Sequence, residues 1–235
     1  MKIEIFADEN EVARAAAGII AAEARKAVAK RGRFLMAVSG GRTPWAMLRD
    51  LASEEVPWND VHLFQIDERI APEGDPDRNL THLHDSLFVN SPGALIPREN
   101  IHAMNVTAGD PFAGAAEYEK TLQKLCGNPA VLDLAHLGLG PDGHTASLIP
   151  GDPVLQVRDR DVSITGEYQR RRRMTLTYPM INRSRMILWL ATGSEKAPMI
   201  VRLKAADPLI PAGLVEQGNA LLLADKSAAS IVTGL

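Results

Sequence analysis

At 235 residues, 46% of them hydrophobic and 23% charged, the chain has the composition of an ordinary globular protein with a sizeable core, which excludes a disordered one. A net charge of −3 gives no global reason to bind nucleic acid, so any anion site must be built locally. No apolar run approaches the ~18 residues that cross a bilayer, and the single cysteine, Cys126, permits no intrachain disulfide, which points to a reducing, cytoplasmic compartment.

Lys2-Ile3-Glu4-Ile5-Phe6 reads as a short strand, followed by an alanine-rich amphipathic helix from Glu11 to Lys30. A secretory signal would set basic residues before an apolar block, and no such block follows. Phe34 to Val38 forms the next strand and runs into Ser39-Gly40-Gly41-Arg42-Thr43-Pro44, then a helix through about Ala52. By its physics this turn is a phosphate cradle. Thr43 can cap the helix, Pro44 suits the first helical position, and the glycines expose backbone N–H groups at a helix N-terminus. A tight turn before a well-capped helix is the plainer alternative. A nucleotide P-loop is not present, because G-x-x-x-x-G-K-[ST] is missing. Val61 to Ile66 runs into Asp67-Glu68-Arg69, three charges that are costly unless paired or used, and a structural Asp–Arg pair competes with a functional role. Leu80 to Phe88 predicts a helix in which His82 and His84 point to different sides, against a metal site.

Val131 to Leu137 reads as a buried strand ending in Gly138-Leu139-Gly140-Pro141-Asp142-Gly143-His144-Thr145-Ala146-Ser147. Glycines let a ligand approach the main chain, and a histidine there can take a proton from water near neutral pH. The strand thus delivers Asp142 and His144, two residues apart, as an acid/base site on a loop. Gly138, Gly140 and Gly143 also fit G-x-G-x-x-G, but that motif needs a long helix after its third glycine and an acidic residue ending the next strand. Pro150-Gly151-Asp152-Pro153 breaks the segment, and the residues before Asp161 do not read as a buried strand, so no nicotinamide cofactor is expected. Cys126, before the turn Gly127-Asn128-Pro129, reads as a partly buried bystander. Gln169-Arg170-Arg171-Arg172-Arg173 reads as a solvated cationic face without the aromatic interleaving of a single-strand groove; Arg173 abuts the strand Met174 to Tyr178 and is the best anchored. Arg185 to Ala191 is a strand running into Thr192-Gly193-Ser194-Glu195-Lys196, which either opens a solvated helix through Lys204 or aims Lys196 at the same phosphate. Ala220 to Ala224 is the last strand.

This alternation predicts an α/β fold with a mostly parallel, doubly wound sheet and helices on both faces. Ligands bind outside the carboxyl ends of such strands, and four strand ends with Gly-rich or charged loops should converge on one edge. Pro- and Gly-rich pieces (residues 71–79, 90–97 and 205–213) are too short to separate domains, so one domain over 1–235 is expected. Gly74 to Arg78 and Asp152 to Gly166 have the composition of mobile loops. With no Cys/His cluster, H-E-x-x-H or G-x-S-x-G, neither a metal nor a serine nucleophile is expected. What is left describes acid/base chemistry on a phosphorylated small molecule.

The motifs Ser39 to Pro44, Asp67-Glu68-Arg69, Gly138 to Ser147, Arg173-Met174-Thr175-Leu176-Thr177 and Thr192 to Lys196 come in one order over most of the chain. Together they make the sequence closely resemble the 6-phosphogluconolactonases, which share a fold with the glucosamine-6-phosphate deaminases. The resemblance implies hydrolysis of 6-phospho-D-glucono-1,5-lactone to 6-phosphogluconate in the oxidative pentose phosphate pathway. It further implies that His144 is the general base that activates water, with Arg69 near the substrate. Ser39, Gly40, Gly41, Arg173 and Lys196 then lie around the phosphate, with Thr43 and Arg42 in the same cradle. Asp142 either orients His144 or shapes its loop, and Asp67 either binds sugar hydroxyls or holds Arg69. Arg42 stands where a small residue is more usual, and either tightens phosphate binding or points away. The implied partner is a phosphorylated sugar lactone, with no nucleic acid, membrane, metal or cofactor, for a monomer or small homo-oligomer. The related deaminases carry a glutamate just after the histidine block, where this chain has Ser147-Leu148-Ile149-Pro150, which disfavours a deaminase. A non-catalytic sugar-phosphate sensor is the other alternative; its usual helix-turn-helix segment has no room here.

Overall fold

Five-residue apolar runs build the centre of the molecule in a computed structural model that describes residues 1–89 and 96–231. Seven strands form a parallel sheet: β1 (Lys2–Phe6), β2 (Phe34–Val38), β3 (Val61–Gln65), β5 (Ile101–His102), β6 (Leu134–Gly138), β9 (Ile187–Ala191) and β10 (Ala220–Asp225). Their order is β1-β10-β9-β6-β2-β3-β5. Strands β2 and β9 are buried along their whole length, as befits a sheet covered on both faces.

Alternate residues of each strand feed two separate cores. Leu35, Ala37, Trp189 and Leu222 pack on one side, and Phe34, Met36, Val38, Leu188 and Leu190 on the other. Helices α1 (Glu9–Arg31), α2 (Arg42–Leu51) and the short α3 (Asn79–His84) cover the second face. The first face takes α4 (Pro111–Cys126), α5 (Tyr178–Asn182) and α6 (Ala197–Lys204). The alanines of α1 form its buried stripe, so its backbone lies close to the sheet. Asp8 opens that helix by accepting the N–H groups of Asn10 and Glu11 at 2.9 Å, and Gly32, at φ 73°, closes it. Cys126 is buried and its thiol is pushed up to about 12 by that burial, in keeping with an inert side chain.

A second, three-stranded antiparallel sheet was not foreseen: β4 (Asp67–Arg69), β8 (Arg173–Leu176) and β7 (Val162–Ile164), in the order β4-β8-β7. It hangs from the end of β3, where the Leu176 N–H donates to the Ile66 carbonyl at 2.8 Å. Several expected boundaries move. The strand expected over 131–137 begins only at Leu134, and the one expected from Met174 to Tyr178 stops at Leu176, because Pro179 opens α5. The helix expected over 80–88 stops at His84 and continues as a wider π turn over Asp85–Val89. Asp152 to Gly166 is not a bare loop, since it contains a 3-10 turn (Pro153–Gln156) and β7. Of the loop expected over 90–97, residues 90–95 lie outside the described residues. No helix among the described residues is long and apolar enough to cross a membrane.

Candidate active site

The carboxyl ends of β2, β3, β6 and β9 open into one cavity of about 490 Å³, with Arg173 of β8 on its wall. Ser39 to Pro44, Asp67, Arg69, Gly140, His144, Thr192 and Lys196 line it, so the four loops converge as the sequence predicts.

On the β6 loop, His144 Nδ1 lies 2.5 Å from Asp142 Oδ1, and the His144 backbone N–H donates to the same oxygen at 3.1 Å. Burial alone raises the Asp142 carboxyl. The His144 N–H and the nearby imidazole outweigh it and hold the group below its ordinary value. An ionised carboxylate only accepts, so Nδ1 carries a proton, and in the neutral ring Nε2 is the nitrogen with the free lone pair. The loop is shaped for this ring: a Cβ on Gly140 would sit 2.2 Å from His144 Nδ1. Gly143, at φ 83°, turns the chain where a Cβ would strike Ile210 at 2.6 Å. No long helix follows Gly143, so the structural context that a G-x-G-x-x-G fingerprint needs is not present at this loop.

At the end of β2 the anticipated cap is different. Gly41, at φ 133°, is the N-cap of α2 and makes no side-chain capping bond. Thr43 does not cap. It is already inside the first turn, and its hydroxyl lies 2.7 Å from that of Thr192, tying the β2 and β9 loops together. Among the described residues, the N–H groups of Gly40, Gly41, Arg42 and Thr43 donate to nothing in the protein, and the buried Ser39 hydroxyl has no partner. Free donors at the start of a ten-residue helix, with Lys196 across the cavity, have the geometry and charge to receive an anion. Arg42 lines the mouth of the cavity, but its guanidinium is exposed and paired with Glu9 at 2.9 Å.

The charges after β3 are not an Asp–Arg pair. Among the described residues no ion pair joins Asp67 to Arg69. Asn79 stands between them, its amide donating to Asp67 and its oxygen accepting from Arg69 Nη1 at 2.8 Å. Asp67 also accepts the Ser147 hydroxyl at 2.7 Å. Glu68 is fully buried and accepts the N–H groups of Asn79 and Leu80 at 2.8 Å, which starts α3. Asn79 was not singled out from the sequence, and Glu68 and Ser147 entered only as members of longer motifs with no role assigned to them. The partners that reveal their roles lie 10 to 80 positions away, and the only local signal was Asn79 following Arg78 after the charged triplet.

The cationic run is solvated at Gln169, Arg170 and Arg172, as expected, but not at Arg171 and Arg173. Tyr168 to Arg171 forms a two-residue hairpin turn between β7 and β8. Arg171 pairs with Asp75 and Asp77, and Arg172 lies over Phe112. Arg173 is 6% exposed, with its Nε buried and unpartnered. It stands directly opposite Arg69 in the β4–β8 ladder, and Arg69 Nε is unpartnered too. Two like charges across a ladder repel. Burial, against the pull of Asp67, and then the charge of Arg69 lower the Arg173 guanidinium below its usual value. An anion between them would relieve that repulsion.

His82 and His84 make no cluster: His82 stacks on Trp45, and His84 lies beside Asp85. No group of three or more potential metal ligands occurs among the described residues.

Residues 7–223 match the family model for glucosamine-6-phosphate isomerases/6-phosphogluconolactonase. A 6-phosphogluconolactonase of Nostoc sp. is 33% identical over 234 residues, covering 96% of each chain. Among solved structures, 6-phosphogluconolactonase from Thermotoga maritima superposes with a TM-score of 0.83 at 27% identity, over 95% of this chain and 98% of that one. A monomeric glucosamine-6-phosphate deaminase superposes at 0.84 and 20% identity, over 98% of this chain and all of that one (100%), and so shares the fold.

Proposed function

The chain belongs to the glucosamine-6-phosphate isomerases/6-phosphogluconolactonase family, and on that premise we propose that it hydrolyses 6-phospho-D-glucono-1,5-lactone to 6-phospho-D-gluconate, with His144 as general base. The observation that carries this is the Asp142–His144 pair facing free N–H groups and cationic side chains in one cavity.

His144 Nε2 takes a proton from water as the water oxygen bonds to the lactone carbonyl carbon. The carbonyl π electrons move to oxygen, giving a tetrahedral oxyanion. When this collapses, the bond from C1 to the ring oxygen breaks, and the imidazolium returns its proton to that oxygen. The released carboxylic acid loses its proton to solvent. Asp142 holds the required tautomer and steadies the imidazolium. The phosphate fits the cradle of Ser39, Gly40, Gly41 and Thr43 with Lys196 and Arg173, while Arg69 and Asp67 face the remainder of the substrate. The lactone carbonyl is already electrophilic, so one base, worth roughly 10²–10⁴ in rate, with donors to the oxyanion suffices. The pathway role follows from the same substrate.

The deaminase reading has the shared fold in its favour, but the required acid after the histidine loop is missing. Leu148 and Ile149 are buried there, and Ser147 is spent on Asp67. The discriminating experiment generates the lactone in situ and times its opening against a protein-free control, with glucosamine 6-phosphate offered in parallel. Accelerated lactone opening with no ammonia release is expected. Ammonia release would favour the deaminase, and binding without either reaction would favour the sensor.

A further inference from the structure

We propose that Tyr168 is a positioning residue that ties the histidine–aspartate pair to the phosphate-facing arginine, an inference that rests on the lactonase reading above. Its hydroxyl donates to Asp142 Oδ2 at 3.3 Å, on the carboxylate oxygen that His144 leaves free. Its ring meets the His144 imidazole edge-on, with centroids 6.0 Å apart. The guanidinium of Arg173 lies over the same ring, 5.1 Å from its centroid. One side chain therefore touches the acid that orients the base, the base itself, and the arginine assigned to the phosphate.

The backbone around it is bent to achieve this. Tyr168 and Arg171 exchange N–H···O bonds of 2.9 and 3.2 Å, closing a hairpin whose two central residues, Gln169 (φ 52°) and Arg170 (φ 63°), are both left-handed. Such turns are normally filled by Asn-Gly. Here neither residue is glycine, and the turn leaves Tyr168 on the Asp142–His144 pair and the Gln169 oxygen on Arg173 Nη2 at 3.1 Å. Arg171, held by Asp75 and Asp77, anchors the far side of the turn. The Tyr168 hydroxyl takes part of the Asp142 charge, so it moderates the pull of that carboxylate on the imidazole. The charged and titratable groups that face this assembly are Asp142, His144 and Arg173, with Arg42, Asp67, Arg69, Glu195 and Lys196 on the neighbouring cavity wall and Asp77 beside Arg173.

The test is Tyr168→Phe, which keeps the ring and removes the hydroxyl, assayed on the in situ lactone over a range of pH beside Tyr168→Ala. Tyr168→Phe is expected to lower kcat about three- to tenfold, the kinetic equivalent of one net hydrogen bond. KM should stay unchanged, and the acid limb of kcat/KM should move up by about half a pH unit as Asp142 grips the imidazole more strongly. Tyr168→Ala should also raise KM several-fold, because Arg173 loses the ring it lies on. In an Asp142→Asn background the Phe substitution should have no further effect on kcat, a coupling that a merely structural tyrosine would not show. A Tyr168→Phe protein with wild-type kcat and an unmoved acid limb overturns the proposal, whatever Tyr168→Ala does. A wild type that does not accelerate lactone opening removes the lactonase reading itself, and the proposal with it.

Discussion

The missing side chain of Gly140 controls the site as much as any side chain present. Any Cβ there would occupy the space of the His144 ring, so Gly140→Ala must push the imidazole off Asp142. The expected outcome is a loss of about 10²-fold or more in kcat, the range of a lost general base, with thermal stability and 6-phosphogluconate affinity little changed. Steady-state kinetics with an isothermal binding titration of the product checks this, and full turnover in the variant would contradict the placement of the ring. At this scale the sequence was legible where partners are neighbours: Asp142 and His144 are two residues apart, and their pairing was one of the alternatives left open. It was silent where partners are distant. Ser147 reaches Asp67 across 80 positions and Tyr168 reaches Asp142 across 26, and no local pattern signals either.

Short elements carry more of the site than the long helices do. Glu68, with no exposed surface, accepts the first N–H groups of α3, the Arg69 N–H at 2.8 Å and the Gln65 amide at 2.9 Å. It therefore sets where Asn79 stands, and Asn79 sets Arg69 and Asp67. Glu68→Gln would turn an amide N–H₂ toward backbone donors, and a lost charged hydrogen bond of about 1.5–3 kcal/mol is expected. For a chain of this size that corresponds to a melting temperature lower by roughly 3–12 °C. A thermal melt of the variant beside the wild type reads it; coincident melts would show that Glu68 does not organise α3. Six strands of the parallel sheet were legible because apolar runs bounded by turns have few alternative readings, whereas the edge strand β5, two residues long, was not. The β4 and β7 strands were not, since three residues give too little alternation to register, and Asp67-Glu68-Arg69 looks like a surface loop until β8 is seen beside it.

At the scale of the whole molecule, parallel strands place all their carboxyl ends on one edge, and an acidic protein thereby gathers its free N–H groups and cations into one cavity. The strand order that brings β6 between β9 and β2 was not readable from sequence, because periodicity does not say which strands are neighbours. Order also buries His136 completely in β6, where its Nδ1 accepts the Ser39 N–H and burial holds it down to about 3. His102 is lowered to about 4 by burial and then by the charge of His62. Both histidines protonate near 6.5 in the unfolded chain, so the stability that their neutral buried forms support is whole above that pH and is lost progressively below it, until the loss is complete at about 4 for His102 and about 3 for His136. For the fully buried His136 the slope is about 1.4 kcal/mol per pH unit. His136→Asn keeps an acceptor for Ser39 and removes the titration, so its unfolding free energy from denaturant melts at pH 7 and pH 5 should fall less steeply than the wild type's. Equal slopes would contradict this origin of the acid sensitivity. Whether His144 supplies the base for lactone opening is read by timing 6-phosphogluconolactone conversion with wild type, His144→Ala and no protein, alongside product binding by both proteins. Strong acceleration by the wild type is expected, with a loss of roughly 10²–10⁴ in turnover for His144→Ala and 6-phosphogluconate still bound. Undiminished turnover in the alanine variant would contradict that role for His144.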